Sequence, residues 1–255
     1  MSKGRFTIPT DESFVVGTKI IAEKWGADAV RDCDGTKLPE NPGQFGKVYN
    51  TYFVVRGDNE WARKHPEEAQ RIFLLSNRNL ATNETLEIEI MKGFLKDEFD
   101  PDYAYIDLWE VYDRTTGIKH EKWGYNSISG IVTIENAIPF HEYTVTFLAR
   151  VTWHPVQIYN YLTNEWTCEK QLTYDPAFPA TKKYIVEHMK KWCEENPETS
   201  VVRFTTFLYQ FTLIFNNLGK ERQVEWFGYG QTANPVLMEE FEKESGIHLF
   251  AEDFV

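Results

Sequence analysis

The stretch "WGADAVRDCDGTKLP" (residues 25–39) decides the fold, because a helical pattern ends there and a short buried strand follows. Its Trp-Gly pair breaks the helix, and glycine is the residue that most readily ends one. A short apolar run follows and stops on Arg31, after which Asp32 and Asp34 come at once. An arginine and two aspartates at the end of a strand are either a structural clamp or the lining of a site.

The segment before this stretch has the pattern of an amphipathic helix. Thr10 is a residue type that caps helices, and acidic residues in the next turn favour the helix dipole. Phe14, Ile21 and Trp25 recur at helical spacing, and Gly26 is predicted to end the helix. The run after it is therefore predicted to be the first strand of a barrel.

The same arrangement occurs again at "TSVVRFTTF" (residues 199–207). A helix is predicted to start at Thr181 and to end before Asn196, and an apolar run then stops on Arg203. Helices that alternate with short apolar strands indicate parallel β/α units. Because active sites of β/α barrels lie at the C-terminal ends of the strands, Arg31 and Arg203 are expected to converge on one mouth.

Guanidinium groups at such a mouth can hold sugar hydroxyls, a carboxylate or a phosphate in a fixed fork. The structural alternative is an ion pair of Arg31 with Asp32 or Asp34, and of Arg203 with a neighbouring acid. For either arginine alone the two interpretations are evenly balanced. The matched positions of the two favour a binding site.

The region between these two units is rich in predicted strands. Short runs of β-forming residues alternate with turn residues; they lie at 49–55, 71–75, 86–90, 105–113, 129–135 and 143–153. Further helices are predicted after His154-Pro155, over 207–215, and from Pro235 to Glu244. The fold class is therefore α/β, with a β-rich insertion at about 50–142. The strands available do not close a barrel within these residues.

Composition excludes several classes of function. The 255 residues carry a net charge of −12, which disfavours binding to nucleic acid. No apolar run reaches the roughly 18 residues of a membrane span, and the N-terminus lacks the apolar core of a signal peptide. Three widely spaced cysteines without a CxxC motif indicate reduced thiols in a cytoplasm. Aromatic residues make up 15%, which suits sugar stacking but also core packing.

Common catalytic motifs are absent from the sequence. It contains no phosphate-binding GxxxxGK[ST] loop, no GxGxxG, no GxSxG and no HExxH. The six histidines have no metal-ligand spacing, so no metal and no organic cofactor are predicted.

Five long stretches carry a specific resemblance to a known family. They are "GRFTIPTDESF", "WGADAVRDCDGTKLPE", "HEYTVTFLARVTWHPVQIYNYLTNEW", "VVRFTTFLYQFTLIF" and "VEWFGYG", which occur in this order between residues 4 and 230. Together they resemble the 1,3-beta-galactosyl-N-acetylhexosamine phosphorylases (galacto-N-biose/lacto-N-biose phosphorylases), and the similarity extends to Val255. The resemblance implies that residues 1–255 form the N-terminal portion of a distorted (β/α)8-type (TIM-like) barrel, the remaining barrel and C-terminal domains lying outside this chain.

The resemblance also implies an activity. Inorganic phosphate would be the co-substrate and would attack a β1,3-linked galactoside with inversion, giving α-galactose 1-phosphate and free N-acetylhexosamine. The family's general acid is an aspartate expected beyond Val255, so no catalytic residue is assigned here and the isolated chain is expected to be inactive. An inverting hydrolase needs two carboxyls, whereas a phosphorylase replaces one of them by cations that hold phosphate.

The residues expected to bind substrate follow from the same resemblance. Arg31 and Asn160 are expected to hold galactose, Val156 to contact the acceptor sugar, and Tyr229 to select the acceptor. The structural alternatives are an exposed helical amide for Asn160, core packing for Val156 and a packed turn aromatic for Tyr229.

Two more residues complete the expected site. Arg203 is the candidate for phosphate, partly because of its place at a strand end. Asp34 would orient Arg31 or bond a sugar hydroxyl.

Two other functions remain open at this point. One is a β-galactosidase-like hydrolase, which would work without phosphate. The other is a sugar-binding module without catalysis. The expected partners are a disaccharide and phosphate, with no nucleic acid and no membrane, and contacts of a homo-oligomer are expected outside this segment.

Overall fold

The protein forms two compact units, which we describe from a computed structural model covering residues 6–32, 37–94, 99–153, 169–205, 213–215, 221–223 and 233–255. One unit comprises Met1–Val55 and Phe178–Thr206, and the other comprises Arg56–Ala177 and Phe207–Val255. The strands are β1 Thr7–Thr10, β2 Ala29–Asp32, β3 Lys47–Phe53, β4 Arg71–Leu75, β5 Asn79–Leu80, β6 Thr85–Glu89, β7 Phe99–Pro101, β8 Glu110–Asp113, β9 Ile118–Lys119, β10 Trp123–Asn126, β11 Ile131–Glu135, β12 Glu142–Trp153, β13 Gln171–Leu172, β14 Val201–Thr205, β15 Leu213–Phe215 and β16 Glu221–Gln223.

The described helices are fewer than the strands, but most of them are longer. The α-helices are α1 Val15–Trp25, α2 Asn59–Lys64, α3 Pro179–Glu195 and α4 Pro235–Ser245. Turns of 3-10 helix occupy Pro42–Phe45, Pro66–Glu68, Tyr103–Leu108 and Ala251–Phe254. Within these described ranges, no helix combines the length and the apolar character that crossing a bilayer requires.

The first unit is built on a parallel sheet. Its order is β1-β2-β3-β14, and all three neighbouring pairs are parallel. Helix α1 connects β1 to β2, and α3 precedes β14, so the predicted alternation of helices and parallel strands is observed. Helix α1 packs Ala22 on Val30 and Val48 in a small core cluster.

The start of α1 differs from the prediction. Thr10 belongs to strand β1, where it pairs with Asp32, and its hydroxyl bonds that of Thr18. The helix begins at Val15 after Phe14, with no side-chain cap. The interpretation of Thr10 as a cap is wrong, and β2 is the second strand of the sheet rather than the first. Strand pairing with β2 outweighs the local preference of threonine for a cap, a preference weak enough for tertiary contacts to override.

The end of α1 agrees with the prediction. Gly26 follows the helix with φ +66° and donates its N–H to the carbonyl of Ala22. That left-handed conformation is costly for residues with a side chain, which explains glycine at this point.

The second unit is an antiparallel β structure around the long strand β12. This strand pairs with β4, β5, β7, β8 and β13, while β10, β11 and β6 form a separate sheet. Both faces of β12 are buried, since Val145, Phe147, Thr144 and Thr146 are all at most 1% exposed. One apolar core joins residues of the two sheets, including Ile134 of β11.

Most predicted strands of this region are present, but one of them is shorter than predicted, and one predicted helix elsewhere in the chain is contradicted. The start of the predicted strand at 105–113 is instead the 3-10 turn Tyr103–Leu108, and the strand is confined to Glu110–Asp113. The predicted helix over 207–215 is contradicted at Leu213–Phe215, which pairs antiparallel with Glu221–Gln223. Short apolar runs fit a strand or a helix equally well, and pairing partners decide between them.

A half-buried ion pair holds the C-terminal 3-10 turn in place within the second unit. Arg114 makes two hydrogen bonds of 2.7 Å to the carboxylate of Glu252 and one of 2.6 Å to the hydroxyl of Thr144. The ring of Phe254 lies 5.2 Å from that of Phe73, centroid to centroid. Polar and apolar contacts therefore stabilise the same turn.

Replacing Arg114 by alanine is expected to lower the free energy of unfolding by about 2–4 kcal/mol, because the half-buried Glu252 carboxylate loses its bidentate partner. Urea unfolding measures the change. Arg78→Ala is the matched control, since the pair of Arg78 with Glu142 is largely exposed and exposed pairs contribute at most about 1 kcal/mol. Equal losses in the two variants would contradict the prediction.

Candidate functional site

The parallel sheet brings the two sequence-predicted arginines to the same end. Arg31 is the next-to-last residue of β2 and lies opposite Tyr49 of β3. Arg203 is the third residue of β14 and lies opposite Thr51, two residues further along β3. Both arginines therefore lie near the C-terminal ends of strands that flank β3 on either side.

These residues share one face of the sheet. Side chains alternate along a strand, and directly paired residues of neighbouring strands point to the same side. The register therefore places Arg31, Tyr49, Thr51 and Arg203 on one face. We call it the arginine face.

The opposite face is covered by α3. The hydroxyl of Tyr52 lies 2.9 Å from Nδ1 of His188 and 3.3 Å from the carbonyl oxygen of Ile185. Its ring also packs edge-on against Trp192. Burial, followed by the nearby Cys193, raises the pKa of Tyr52 to about 12. Helix packing thus occupies much of this face, and the arginine face is the candidate for a binding site.

Asp32 is the common partner of the two arginines. Its backbone oxygen accepts a hydrogen bond from Nη1 of Arg31 at 3.0 Å and another from Nη1 of Arg203 at 3.5 Å. Its carboxylate accepts a hydrogen bond of 2.8 Å from the hydroxyl of Thr51 and lies 3.6 Å from Nη1 of Arg203. Asp32 is 3% exposed, whereas the arginines are only partly buried.

The expected convergence of Arg31 and Arg203 is therefore observed, and so is part of the structural alternative. Arg203 forms an ion pair with Asp32, whereas Arg31 contacts the backbone oxygen of Asp32. A clamp is therefore present at these strand ends, beside the candidate binding site. The binding roles of the two arginines stay predictions.

The other predicted site residues lie outside the described part of the chain. They are Asp34, Val156, Asn160 and Tyr229. Their roles in orienting Arg31, contacting the acceptor and holding galactose stay predictions.

A cavity of about 460 Å³ borders the arginine face in the first unit. Trp192, Glu195 and Asn196 line it together with Asp32 and Thr51. Neither Arg31 nor Arg203 contributes to its lining. Since the charged groups suited to phosphate chemistry lie on the arginine face, we place the candidate site there rather than in this cavity.

One group of possible metal ligands occurs among the described residues. His65, Glu67 and Glu68 place one ligand atom each within 4.8 Å of one another, in the second unit. The ring of His65 stacks on Trp61 at 3.8 Å, and its Nδ1 lies 3.5 Å from the Glu67 carboxylate. The stacking and the ion pair are enough to explain why these three side chains lie together. The prediction that the protein uses no metal stays a prediction.

Sequence reasoning missed two members of the site. Asp32 was considered only as an alternative ion-pair partner, and Asp34 was preferred for orienting Arg31. Thr51 lies within the predicted strand at 49–55, where its place as a second polar residue beside Asn50 was the available signal. The pairing of β3 between β2 and β14 is what gives Thr51 its place.

Comparison with known proteins decides the family. Residues 4–255 match the family described as the lacto-N-biose phosphorylase N-terminal TIM barrel domain. The chain belongs to this family. The predicted resemblance and the α/β fold class of a TIM-like barrel are thereby confirmed. The parallel sheet β1-β2-β3-β14, which carries Arg31 and Arg203, therefore belongs to a lacto-N-biose phosphorylase N-terminal barrel domain.

Several curated relatives support the assignment to the lacto-N-biose phosphorylase family. A 1,3-beta-galactosyl-N-acetylhexosamine phosphorylase of Lachnoclostridium phytofermentans is 46% identical over 251 residues, covering 95% of this chain and 34% of the relative. The enzyme of that name from Bifidobacterium longum is 42% identical over 260 residues, covering the whole chain and 35% of the relative. A D-galactosyl-beta-1->4-L-rhamnose phosphorylase of L. phytofermentans is 36% identical over 263 residues, which is 36% of its length. The chain thus spans about a third of the length of these relatives.

Proposed function

We propose that the protein carrying this chain is an inverting phosphorylase of β1,3-galactosyl-N-acetylhexosamines. The observation that carries the proposal is the pair of arginines on one oxygen of Asp32, at the strand ends of a sheet from the lacto-N-biose phosphorylase family. The relatives at 42–46% identity are named for this disaccharide class. The relative at 36% is named for another acceptor with the same galactosyl donor, so galactosyl transfer to phosphate is the common feature.

The proposed reaction needs one acid and one anion site. An oxygen of inorganic phosphate attacks the anomeric carbon of galactose from the α side, and the bond from that carbon to the acceptor oxygen breaks. The general acid gives its proton to that oxygen, which leaves as the hydroxyl of the N-acetylhexosamine. The products are α-galactose 1-phosphate and the free sugar, and no redox or metal step is required.

The charges of the arginine face suit this reaction. Two guanidinium groups and one carboxylate leave a net positive charge, which favours a bound phosphate. Arg203 is the proposed phosphate ligand, and Arg31 is the proposed galactose ligand. Asn160, Val156 and Tyr229 are proposed to complete the sugar contacts, with Asp34 beside Arg31, and the general acid is taken from outside the 255 residues.

A hydrolase is the second candidate and is less well supported. Inverting hydrolysis needs two carboxyls, of which one activates water. The carboxylate described beside the arginines is that of Asp32, which is buried and bonded to Thr51 and Arg203. It is therefore poorly placed to activate water, whereas the arginines are suited to an anion.

The experiment compares the product of the complete gene with and without phosphate. Galactosyl-β1,3-N-acetylglucosamine and galactosyl-β1,3-N-acetylgalactosamine are incubated with the protein, and phosphorus NMR follows galactose 1-phosphate. We expect the α anomer, formed only when phosphate is present. Free galactose in phosphate-free buffer would favour the hydrolase, and binding without either product would favour a sugar-binding module.

The same experiment includes galactosyl-β1,4-rhamnose. Faster turnover of this substrate would move the proposal to the other acceptor class while retaining phosphorolysis.

We place the enzyme in a reducing cytoplasm, in keeping with Cys193, which is an exposed free thiol.

A further inference from the structure

We infer that Asp32 is a positioning residue, which holds Arg203 beside Arg31 so that Arg203 presents its guanidinium to an inorganic phosphate. This inference rests on the proposed function, since it names the group that organises its phosphate site. Asp32 itself is too buried to serve as the ligand of a substrate. It acts through the two arginines.

The backbone of Asp32 fixes the two cations as neighbours. The Nη1 atoms of Arg31 and Arg203 both donate to its carbonyl oxygen. Two guanidinium groups so close repel each other, and a nearby carboxylate offsets that repulsion. The carboxylate of Asp32 is the anion that does so, at 3.6 Å from Nη1 of Arg203.

The carboxylate is itself held in place. Thr51 donates its hydroxyl to Oδ1 of Asp32 at 2.8 Å, and Thr51 lies directly opposite Arg203 in the sheet. A buried carboxylate is stable only when it is paired and hydrogen-bonded, and both conditions are met here. Contacts among β2, β3 and β14, through Asp32, Thr51 and Arg203, therefore set the orientation of the Arg203 side chain, rather than its own rotamer preferences.

The two arginines depend on Asp32 in different ways. Arg31 uses the backbone oxygen, which any residue at this position would supply. Arg203 uses the carboxylate as well. Removing the carboxylate charge should therefore weaken the binding of phosphate, the proposed ligand of Arg203. It should leave the binding of galactose, the proposed ligand of Arg31, unchanged.

The test is Asp32→Asn in the product of the complete gene. This variant keeps the size of the side chain and the backbone oxygen, but it loses the ion pair. We expect the KM for phosphate to rise about 10-fold, the effect of losing one charge-assisted interaction. The KM for the disaccharide and the kcat at saturating phosphate are expected to stay within about 3-fold of the wild type, a difference too small for the loss of such an interaction.

Two further variants separate positioning from stability. Thr51→Val removes the hydroxyl that holds the carboxylate and keeps the shape of the side chain, so we expect a smaller rise in the phosphate KM. It also carries the test if Asp32→Asn does not fold. Asp28→Asn is the control, because Asp28 lies just before β2 and bonds the N–H of Phe6 at 3.0 Å. It is expected to leave both KM values unchanged.

The outcomes distinguish this inference from the proposed function. An unchanged or lower phosphate KM in a folded Asp32→Asn protein overturns the inference, as does an equal rise in both KM values. If the wild type gives no phosphorolysis, the proposed function fails, and calorimetric titration with inorganic phosphate decides the inference. Weaker phosphate binding by Asp32→Asn than by Asp28→Asn would then still support it, and equal binding would overturn it.

Discussion

Replacing Arg31 by alanine is expected to lower kcat/KM for the proposed phosphorolysis by about 10²–10³-fold while leaving the protein folded. The loss corresponds to about 3–4 kcal/mol, the contribution of two charge-assisted hydrogen bonds to a bound sugar. Folding should be preserved because Arg31 is only partly buried and donates to a backbone oxygen of the next residue. The rate is measured on the product of the complete gene, and the melting temperature is measured in parallel.

Two comparison variants sharpen the Arg31 result. Arg31→Lys keeps the charge but loses the planar fork, so it is expected to recover only a small part of the activity. Arg78→Ala removes an exposed arginine of the second unit and is expected to leave the activity unchanged. If Arg31→Ala melts well below the wild type, Arg31 is a structural clamp and the assignment to galactose is wrong.

Replacing Asp102 by asparagine is expected to cost about 3–5 kcal/mol of stability, as removal of one member of a buried ion pair does. Asp102 bonds Nε of Arg71 at 2.8 Å and accepts two hydrogen bonds of 3.0 Å from Arg150. The side chains of Asp102 and Arg71 are at most 2% exposed, so Arg71 would be left buried without its carboxylate. Urea unfolding at neutral pH measures the loss.

The same residue predicts a pH dependence of stability. Burial raises the pKa of Asp102, but hydrogen bonds from Arg150 and Arg71 outweigh it and lower the pKa below its usual value. A lowered pKa in the folded state means that the stabilisation is complete above the ordinary aspartate pKa of about 3.9 and is lost as the pH falls below it. The wild type should therefore lose stability on acidification more steeply than Asp102→Asn.

A control for the stability loss of Asp102→Asn is the substitution of Asp100, two residues before it in the chain. Asp100 is an exposed aspartate on β7, opposite Arg150 in the sheet. Asp100→Asn is expected to change the stability by less than about 1 kcal/mol, as exposed charges do. If it costs as much as Asp102→Asn, the contribution assigned to the buried cluster is wrong.

The sequence predicted the parts of the fold that depend on local pattern. The helix that ends at Gly26, the strand that carries Arg203 and the strand Glu142–Trp153 all have a clear periodicity, and all are present. Thr10 and Leu213–Phe215 were misassigned, because their state depends on which strand lies beside them. Such pairings join residues far apart in the chain, which a local pattern does not record.

The candidate site also has features that the sequence predicted and features that only the structure shows. The identity of the two arginines and their place at strand ends could be predicted, because the apolar runs before them are alike. Asp32 as their common partner could not be predicted from the local pattern. That role depends on Thr51, which reaches the carboxylate only because β3 lies between β2 and β14.

By itself, the sequence determined the α/β class and the two strand-end arginines, since each is a property of residue types at short spacing. It also determined the family, since five stretches in a fixed order carry that resemblance. Tertiary structure alone decided that Arg31 and Arg203 meet on one oxygen of Asp32. The physical reason is register. In a parallel sheet, long connections bring together residues that are distant in sequence, and a shift by one residue would turn either arginine to the helix-covered face.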